Sequence, residues 1–232
     1  MKVIGLICCR SESKGIKNKN LKKFHGKRIL SWMFDEIKKS KLFDEIYFSS
    51  DSKKLCNIAK NLGMISDLRP KKLATSTSDV FDTYKYLFSK FNINDKKHHI
   101  CCLNNSPYIK KKHLLSTFKL YKKSKFKNIS MLVKKVDSEN FYFRQSHKKN
   151  KLLYPIFQST LIKTKINRQS QKDTFVNIGD IRWGKVKQLS KYKDFNIDIC
   201  KNGYSFLEVK ENEYLDLNTV EDWKMALKNF KK

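Results

Sequence analysis

Two kinds of apolar pattern alternate along the first half of the chain. Residues 3–8, 45–49 and 99–103 form short runs typical of strands buried in a sheet. Between them, apolar residues recur at helical spacing over residues 30–37 and 55–62. Helical crossovers between successive strands are right-handed and cover both faces of a parallel sheet. The alternation therefore predicts an α/β fold with a mainly parallel central sheet.

The pattern is looser in the second half of the chain. Over residues 137–180, polar residues interrupt short aromatic runs, which indicates an excursion from the central sheet and not a separate domain. Runs at residues 196–200 and 205–209 flank a Lys-Asn-Gly turn and predict a hairpin. A last helix is predicted to begin near Thr219, where Asn218 and Thr219 compete as its cap. The prediction is one domain over residues 1–232.

The formal charge of +29 carries little functional information. Only six of the basic residues are arginine, and the lysines are spread along the whole chain. Domains that read nucleic acids usually cluster Arg and Lys on one face. We therefore expect no specific nucleic acid partner, only an attraction to polyanions that salt weakens.

Cysteine, histidine and hydropathy patterns exclude several other classes of protein. The six cysteines form no C-x-x-C pair and include two adjacent pairs in apolar runs, which favours reduced core thiols in a cytoplasmic protein. The five histidines show neither metal-ligand nor Ser/His/Asp spacing and are expected at the surface or at strand ends, and the three tryptophans in the core. No apolar run is long enough to span a bilayer, so no membrane partner is expected.

The most informative motif directly follows the first predicted strand. Residues 10–20 read Arg-Ser-Glu-Ser-Lys-Gly-Ile-Lys-Asn-Lys-Asn. Open α/β sheets bind their ligands at the carboxyl ends of the strands. Arg10, Lys14 and Lys19, together with hydroxyls and backbone amides, suit a polyphosphate. The loop lacks the glycines of a Walker A motif, so it predicts a phosphate site of another kind.

The order of these residues resembles the N-terminal signature of the acylneuraminate cytidylyltransferases, the synthetases of CMP-sialic acid and of its pseudaminic and legionaminic acid counterparts. The resemblance spans nearly the whole chain and is strongest over residues 1–75 and 214–223. Further segments that match the family in order and spacing are Gly26-Lys27, residues 40–44, Ser49-Ser50-Asp51, Arg69-Pro70, Ser106-Pro107, Arg168-Gln169, Asn177-x-Gly179 and residues 215–223.

The resemblance implies a Rossmann-like nucleotidyltransferase fold and transfer of CMP from CTP to a nine-carbon α-keto acid sugar, a nonulosonate, with release of pyrophosphate. It implies catalytic roles for Arg10, Lys19 and Asp216, and Mg²⁺ ligation by Asp216 and Asn218. The nucleotide-binding residues that it implies are Arg10, Ser13, Lys14, Lys19, Asn20, Arg69 and Ser78. Those implied to bind the sugar are Asn104, Asn105, Arg168 and Gln169.

The resemblance also implies a homodimer in which the excursion at about 137–180 reaches the partner's active site. The chain departs from the family at several positions. Asn218 replaces a carboxylate of the metal site, which lowers the expected metal affinity, and Glu12 brings a negative charge into the phosphate loop. Leu103-Asn104-Asn105 replaces a Leu-Gln-Pro-Thr-like run, so a usual polar contact to the sugar is missing.

These departures leave three alternatives open. The first is a catalytically weakened or non-catalytic nucleotide-binding homologue, and the second is a cytidylyltransferase for another keto sugar acid such as KDO. The third is an RNA-binding protein, for which the net charge is the only argument.

Overall fold

The computed structural model of the chain describes residues 1–13, 15–136, 146–149, 152–155, 175–210 and 213–230. A seven-stranded sheet runs through the molecule in the order β11-β7-β10-β6-β1-β4-β5. Its strands are β1 (Lys2–Cys9), β4 (Glu45–Ser50), β5 (Ile65–Leu68), β6 (His98–Leu103), β7 (Ser130–Lys135), β10 (Phe175–Gly184) and β11 (Ser205–Glu208). Two further pairs form small antiparallel hairpins: β2 (Lys23–Phe24) with β3 (Lys27–Arg28), and β8 (Ser146–Lys149) with β9 (Leu152–Pro155).

The sheet is mainly parallel, which confirms the prediction. Strand β1 pairs in parallel with β4 and β6, β4 with β5, and β7 with β11. Strand β10 is antiparallel to both of its neighbours, β6 and β7. The predicted excursion ended inside this strand. Residues 175–180 belong to the central sheet, so the described chain returns to the sheet earlier than expected.

Helices cover both faces of the sheet. They are α1 (Ile29–Ser40), α2 (Lys53–Asn61), α3 (Val80–Lys90), α4 (Lys111–Lys123), α5 (Val186–Leu189), α6 (Tyr192–Asn202) and α7 (Val220–Asn229), with a 3₁₀ turn at Lys71–Leu73. One buried cluster joins α1, α2 and α4 to the sheet, and another joins α3, α5 and α6 to the opposite face. A third cluster, around Ile16, Leu217, Trp223 and Phe230, fastens α7 to the loop after β1. Among the described residues, no helix is long and apolar enough to cross a membrane.

The predicted hairpin at residues 196–200 and 205–209 is wrong in its first half. Residues 192–202 form helix α6, and only Ser205–Glu208 is a strand, which pairs in parallel with β7. Phe195 and Ile199, one helical turn apart, pack into the core, whereas Ile197 is exposed. The alternation of apolar and polar residues around Ile197 imitated a strand, but the tertiary contacts select the helical period.

The histidine expectation is wrong for His113. Its side chain is buried on α4, where Nδ1 accepts a hydrogen bond from the Lys110 amide at 3.3 Å. Burial lowers the pKa of His113 to about 4, so the ring is neutral at physiological pH. All six cysteines are free thiols, five of them buried or half-buried, as the sequence predicted.

Candidate active site

A cleft of about 540 Å³ opens at the carboxyl ends of the parallel strands. This is the edge where open α/β sheets bind ligands, and the volume lies within the roughly 300–1,000 Å³ of small-molecule sites. The loops after β1, β5 and β6 and the segment before α7 supply most of its lining. Ten of the predicted site residues line it: Arg10, Ser13, Lys19, Asn20, Arg69, Ser78, Asn104, Asn105, Asp216 and Asn218. Lys14, Arg168 and Gln169 lie outside the described residues.

Hydrogen bonds hold the loop after β1 in a fixed turn. The buried Asn20 donates from Nδ2 to the Arg10 carbonyl at 2.8 Å, which closes the loop on itself. Asn105 donates from Nδ2 to Asn20 Oδ1 at 2.9 Å and so ties the loop to the end of β6. At the start of the loop, the Ser11 amide donates to Asp51 Oδ1 at 2.8 Å. Asn20 and Asn105 therefore position the loop as well as lining the cleft.

The same loop is docked against the segment before α7. A Cβ atom on Gly15 would lie 1.6 Å from the Asn218 carbonyl oxygen, so only glycine fits at this position. Lys19 Nζ donates to the Leu217 carbonyl at 2.9 Å, and Ile16 is buried in the cluster around Trp223. The two stretches with the strongest family resemblance are thus in direct contact.

Arg10 and Arg69, two of the predicted nucleotide-binding residues, both line the cleft. Arg10 reaches across to the loop after β5 and donates from Nη1 to the Thr75 carbonyl at 2.8 Å. Ser78 closes that loop, because its hydroxyl accepts from the Thr75 amide and donates to the Lys72 carbonyl. Arg69 is buried and donates to the Ser49 carbonyl at 3.3 Å, while its Nε has no hydrogen-bond partner. We call Arg10, Lys19 and Arg69 the basic wall of the cleft.

Asp216 and Asn218 line the same cleft, on either side of Leu217 in the sequence, whose carbonyl accepts from Lys19. Asn218 Nδ2 donates to Asp216 Oδ2 at 2.8 Å, so the two side chains contact each other. Asn218 is not the helix cap. Thr219 occupies that position, accepts from the Asp222 amide and forms a capping box with Asp222. The Asn218 side chain is therefore free of the helix and faces Asp216.

Asp180 is a cleft residue that the sequence reasoning missed. It lies on β10, at an irregularity of the pairing with β7 between Asn177 and Arg182. Gly179 takes a φ of +72° there and its amide donates to Asn177 Oδ1 at 2.8 Å. Such bulges redirect side chains at sheet edges. Here the side chain of Asp180 lines the cleft, and its carbonyl accepts from the Asn104 amide at 3.0 Å.

The Asp180 carboxyl group is almost wholly buried. Burial, together with the nearby Asp216, raises its pKa to about 7, although Ser106, Arg182 and Lys19 act in the opposite direction. Burial and then the neighbouring Asp180 raise the pKa of Tyr214 far above its usual range. Oδ2 of Asp180 accepts no hydrogen bond. We call Asp180 and Asp216 the acidic wall of the cleft.

Arg182 is a second residue that the sequence reasoning missed. Its Nη2 lies 2.5 Å from the place that a Cβ on Gly179 would occupy, and Asn104 Nδ2 lies 3.5 Å from the same point. Its Nη1 is buried without a hydrogen-bond partner. Asp180 is the last residue of the predicted excursion, and Arg182 lies two residues after it. The one available signal was an Asp and an Arg two residues apart in an otherwise apolar strand.

Glu12 is exposed and lines the cleft beside Arg10 and Ser13. Glu12 therefore brings a negative charge to the cleft, in agreement with the expectation for the loop of residues 10–20.

Comparison with known proteins places this cleft in a family context. A family described as cytidylyltransferase matches residues 4–182 of the chain. The pseudaminic acid cytidylyltransferase and UDP-2,4-diacetamido-2,4,6-trideoxy-beta-L-altropyranose hydrolase of Helicobacter pylori is 34% identical over 125 residues, which are 53% of this chain and 24% of that protein. The N-acylneuraminate cytidylyltransferase of Escherichia coli is 30% identical over 120 residues, 52% of this chain and 28% of that protein. The chain thus matches about a quarter of the length of these two relatives.

Among solved structures, a CMP:2-keto-3-deoxy-manno-octonic acid synthetase complexed with CTP superposes with a TM-score of 0.70. The match covers 98% of both chains at 12% sequence identity, so it concerns the fold alone. It agrees with the nucleotidyltransferase fold that the sequence predicted.

Proposed function

Because the chain belongs to the cytidylyltransferase family, we propose that it transfers CMP from CTP to a nine-carbon α-keto acid sugar and releases pyrophosphate. The two relatives described above are named for such sugars. One observation carries the proposal for this chain. The predicted phosphate loop and the predicted metal segment, far apart in sequence, line one cleft and contact each other through Gly15 and Lys19.

The basic wall is suited to the triphosphate. Arg10 and Lys19 bring two cations to the cleft, and their present partners are uncharged carbonyl oxygens. A charge-assisted hydrogen bond to phosphate is stronger than one to a neutral carbonyl. In the reaction, the anomeric hydroxyl oxygen forms a bond to the α-phosphorus of CTP, its proton is lost, and the bond to the pyrophosphate oxygen breaks. Arg10 and Lys19 would hold the phosphates in line and balance the charge on the leaving pyrophosphate.

The residues present fit a divalent cation. The cleft presents the Asp216 carboxylate, the Asn218 amide next to it and a buried carboxyl oxygen without a partner. Oxygen donors of this kind suit Mg²⁺. Asp216 and Asn218 would hold the ion, as the family resemblance implies. When bound, Mg²⁺ supplies neutralisation of phosphate charge.

The polar residues at the end of β6 suit the sugar. Asn104 and Asn105 line this part of the cleft, and Asn105 Oδ1 is buried without a partner. A polyhydroxylated acid offers donors for such an oxygen and a carboxylate for nearby guanidinium groups. Arg168 and Gln169 remain predicted ligands of that carboxylate.

We also propose that the protein works in the cytoplasm as a homodimer. Six free thiols are consistent with a reducing compartment. The dimer is what the family resemblance of the chain as a whole implies, and the excursion at about 137–180 is its candidate interface. Light scattering on the purified chain is expected to give twice the mass of 27.5 kDa; a monomer at micromolar concentration would contradict it.

The activity is tested by pyrophosphate release. The chain is incubated with CTP, Mg²⁺ and a panel of sialic, pseudaminic and legionaminic acids, with KDO as the eight-carbon comparison. We expect turnover with at least one nine-carbon acid and little with KDO. Turnover with KDO alone would move the substrate to the eight-carbon acids, and a folded protein without turnover on any acid would refute the proposal.

The role of the basic wall is tested with Arg10→Ala. We expect a loss of turnover of about 100-fold or more, because a donor to the transition-state charge is removed. Lys23→Ala, at an exposed lysine outside the cleft, is the matched control and is expected to keep wild-type turnover. Equal activities of the two variants would remove Arg10 from the site.

A non-catalytic nucleotide-binding protein is the second candidate. It is favoured by the Asn218 amide, which brings no charge beside Asp216, and by Glu12 in the cleft. Calorimetry distinguishes the two candidates. CTP binding without pyrophosphate release on the whole panel, and release after Asn218→Asp, would support the second.

A further inference from the structure

The Asp180 side chain is buried but incompletely bonded. The residue is only 4% exposed, and its Oδ2 has no hydrogen-bond partner. Ser106 and Tyr214 lie close enough to interact with the carboxyl group, but neither donates to Oδ2. Burying a carboxylate oxygen without a partner costs free energy. A ligand bound in the cleft is one source of a partner for this oxygen.

The described cations nearest to Asp180 are engaged elsewhere or too far away to pair with it. Lys19 Nζ donates to the Leu217 carbonyl. Arg182 influences Asp180 electrostatically, but among the described residues the two form no ion pair within 4.0 Å. No side chain in the described part of the protein therefore neutralises Asp180.

A second carboxylate faces the same cleft. Asp216 is close enough to Asp180 for the two charges to repel each other. Two carboxylates that share a site either keep one proton or bind a cation between them. Lys19 of the basic wall contacts the segment that carries Asp216, so a cation at Asp180 and Asp216 would also be close to the phosphates of a nucleotide held there.

The donor set selects the kind of cation. Ser106 and Asp216, which both interact with Asp180, are oxygen donors, and the described lining of the cleft contains no histidine and two cysteines, Cys8 and Cys9 on β1. In the described ranges, no group of three His, Cys, Asp or Glu side chains is placed to hold a metal. Few protein ligands, completed by water and phosphate oxygens, are characteristic of Mg²⁺ and Mn²⁺.

We propose that Asp180, from the irregular end of β10, is a ligand of the divalent cation together with Asp216, and supplies the carboxylate that Asn218 does not. The catalytic role of this metal site rests on the proposed nucleotidyl transfer. Asn218 donates from Nδ2 to Asp216 and would add a neutral oxygen ligand beside it. The irregularity of β10 at Gly179 turns the Asp180 side chain into the cleft. In a regular strand, successive side chains would instead alternate between the two faces of the sheet.

Manganese binding by the full chain tests the proposal without a turnover assay. Mn²⁺ alone is titrated into the protein, and the free ion is measured by electron paramagnetic resonance. We expect Asp180→Asn and Asp216→Asn each to weaken Mn²⁺ binding about 10-fold or more, because either change removes one charged ligand. Asp79→Asn is the matched control. Asp79 also lines the cleft, but its carboxylate caps α3 and accepts from the Phe81 amide, a role that asparagine keeps.

The result that overturns the proposal is wild-type Mn²⁺ affinity in Asp180→Asn. If that variant also raises the KM for the sugar, Asp180 is a sugar acceptor and not a metal ligand. An equal loss in Asp79→Asn would likewise overturn it, since the effect would then be one of net charge. Thermal unfolding in EDTA reports whether Asp180→Asn is folded; Asp180→Ser, which removes the charge with a smaller polar side chain, replaces it if it is not.

The experiment separates this inference from the proposed function. A wild-type protein that binds Mn²⁺ through Asp180 but releases no pyrophosphate refutes the function and leaves the site. A protein that turns over with an Mn²⁺ affinity independent of Asp180 refutes the site and leaves the function.

Discussion

The two walls of the cleft carry opposite charge in different physical settings. On the basic wall, Arg10 and Lys19 already satisfy their side chains with backbone carbonyls. On the acidic wall, Asp180 is buried with an oxygen that has no partner. Arg10 and Lys19 therefore have partners without a ligand, whereas Asp180 Oδ2, like Arg69 Nε on the basic wall, lacks one. The difference shows that a ligand site can be located by its unsatisfied groups as well as by its charges.

The largest expected effect concerns the basic wall. Replacing Lys19 by methionine keeps the aliphatic chain but removes the charge and the hydrogen bond to Leu217. We expect kcat/KM for CTP to fall by about 100- to 1,000-fold, the usual loss for one donor to a transition-state anion. Steady-state pyrophosphate release measures it. Lys23→Met, outside the cleft, is the control, and a loss below about fivefold at Lys19 would show that this wall does not carry the phosphate charge.

The contact between the loop and the acidic side is tested with Gly15→Ala. The added methyl group would overlap the Asn218 carbonyl, so the loop and the segment before α7 must move apart. A displacement of about 1 Å in a catalytic site costs on the order of 100-fold in rate. Gly184→Ala provides the comparison, because its Cβ would meet only side-chain atoms of Leu189, at 3.1 Å or more. Full activity in Gly15→Ala would mean that the two walls work without this contact.

The burial of Asp180 predicts that the free energy of unfolding depends on pH when EDTA removes divalent cations. The raised pKa of Asp180, about 7, means that the folded protein holds a proton which the unfolded chain loses near pH 4. Stability from this group is therefore present at low pH and is lost as pH rises through about 7. Between pH 7.5 and 5.5, the wild type is expected to gain about 2 kcal/mol relative to Asp180→Asn. Urea unfolding at the two pH values measures the difference, and parallel changes in both proteins would contradict it.

The smallest expected effect comes from strengthening the acidic wall. Asn218→Asp adds a charge beside Asp216, so Mn²⁺ affinity is expected to rise by about 10-fold or less. Without metal, the added repulsion is expected to lower the melting temperature. Asn57→Asp, at an exposed position of α2, adds the same charge away from the cleft. If both variants bind Mn²⁺ equally, Asn218 does not border the metal.

Much of the fold was predictable because its signals are local. The runs that became β1, β4 and β6, and the helices that follow them, each show their period within a few residues. The helix at Tyr192–Asn202 was not predictable in this way, since its short apolar run fits two periods. Packing of Phe195 and Ile199 against the sheet decided between them.

The residues of the candidate site also divide into those that the sequence predicted and those that it did not. The loop from Arg10 to Asn20 is continuous, and its order of charges and its place after a strand are visible in the sequence. Asp216 and Asn218 were found through the family resemblance. Asp180 and Arg182 were not found, because neither residue matches a motif and their environment depends on strands that are distant in sequence.

The sequence by itself determined the α/β architecture and the family and singled out the loop from Arg10 to Asn20, because periodicity and motif order are properties of neighbouring residues. Only the tertiary structure decided that Gly15 touches Asn218, and that Asp180 is buried in the lining of the same cleft as Arg10, Lys19 and Arg69. The physical reason is that burial and the lack of a partner arise when β10 enters the sheet antiparallel between β6 and β7. These are properties of an assembled environment, which no short stretch of sequence contains.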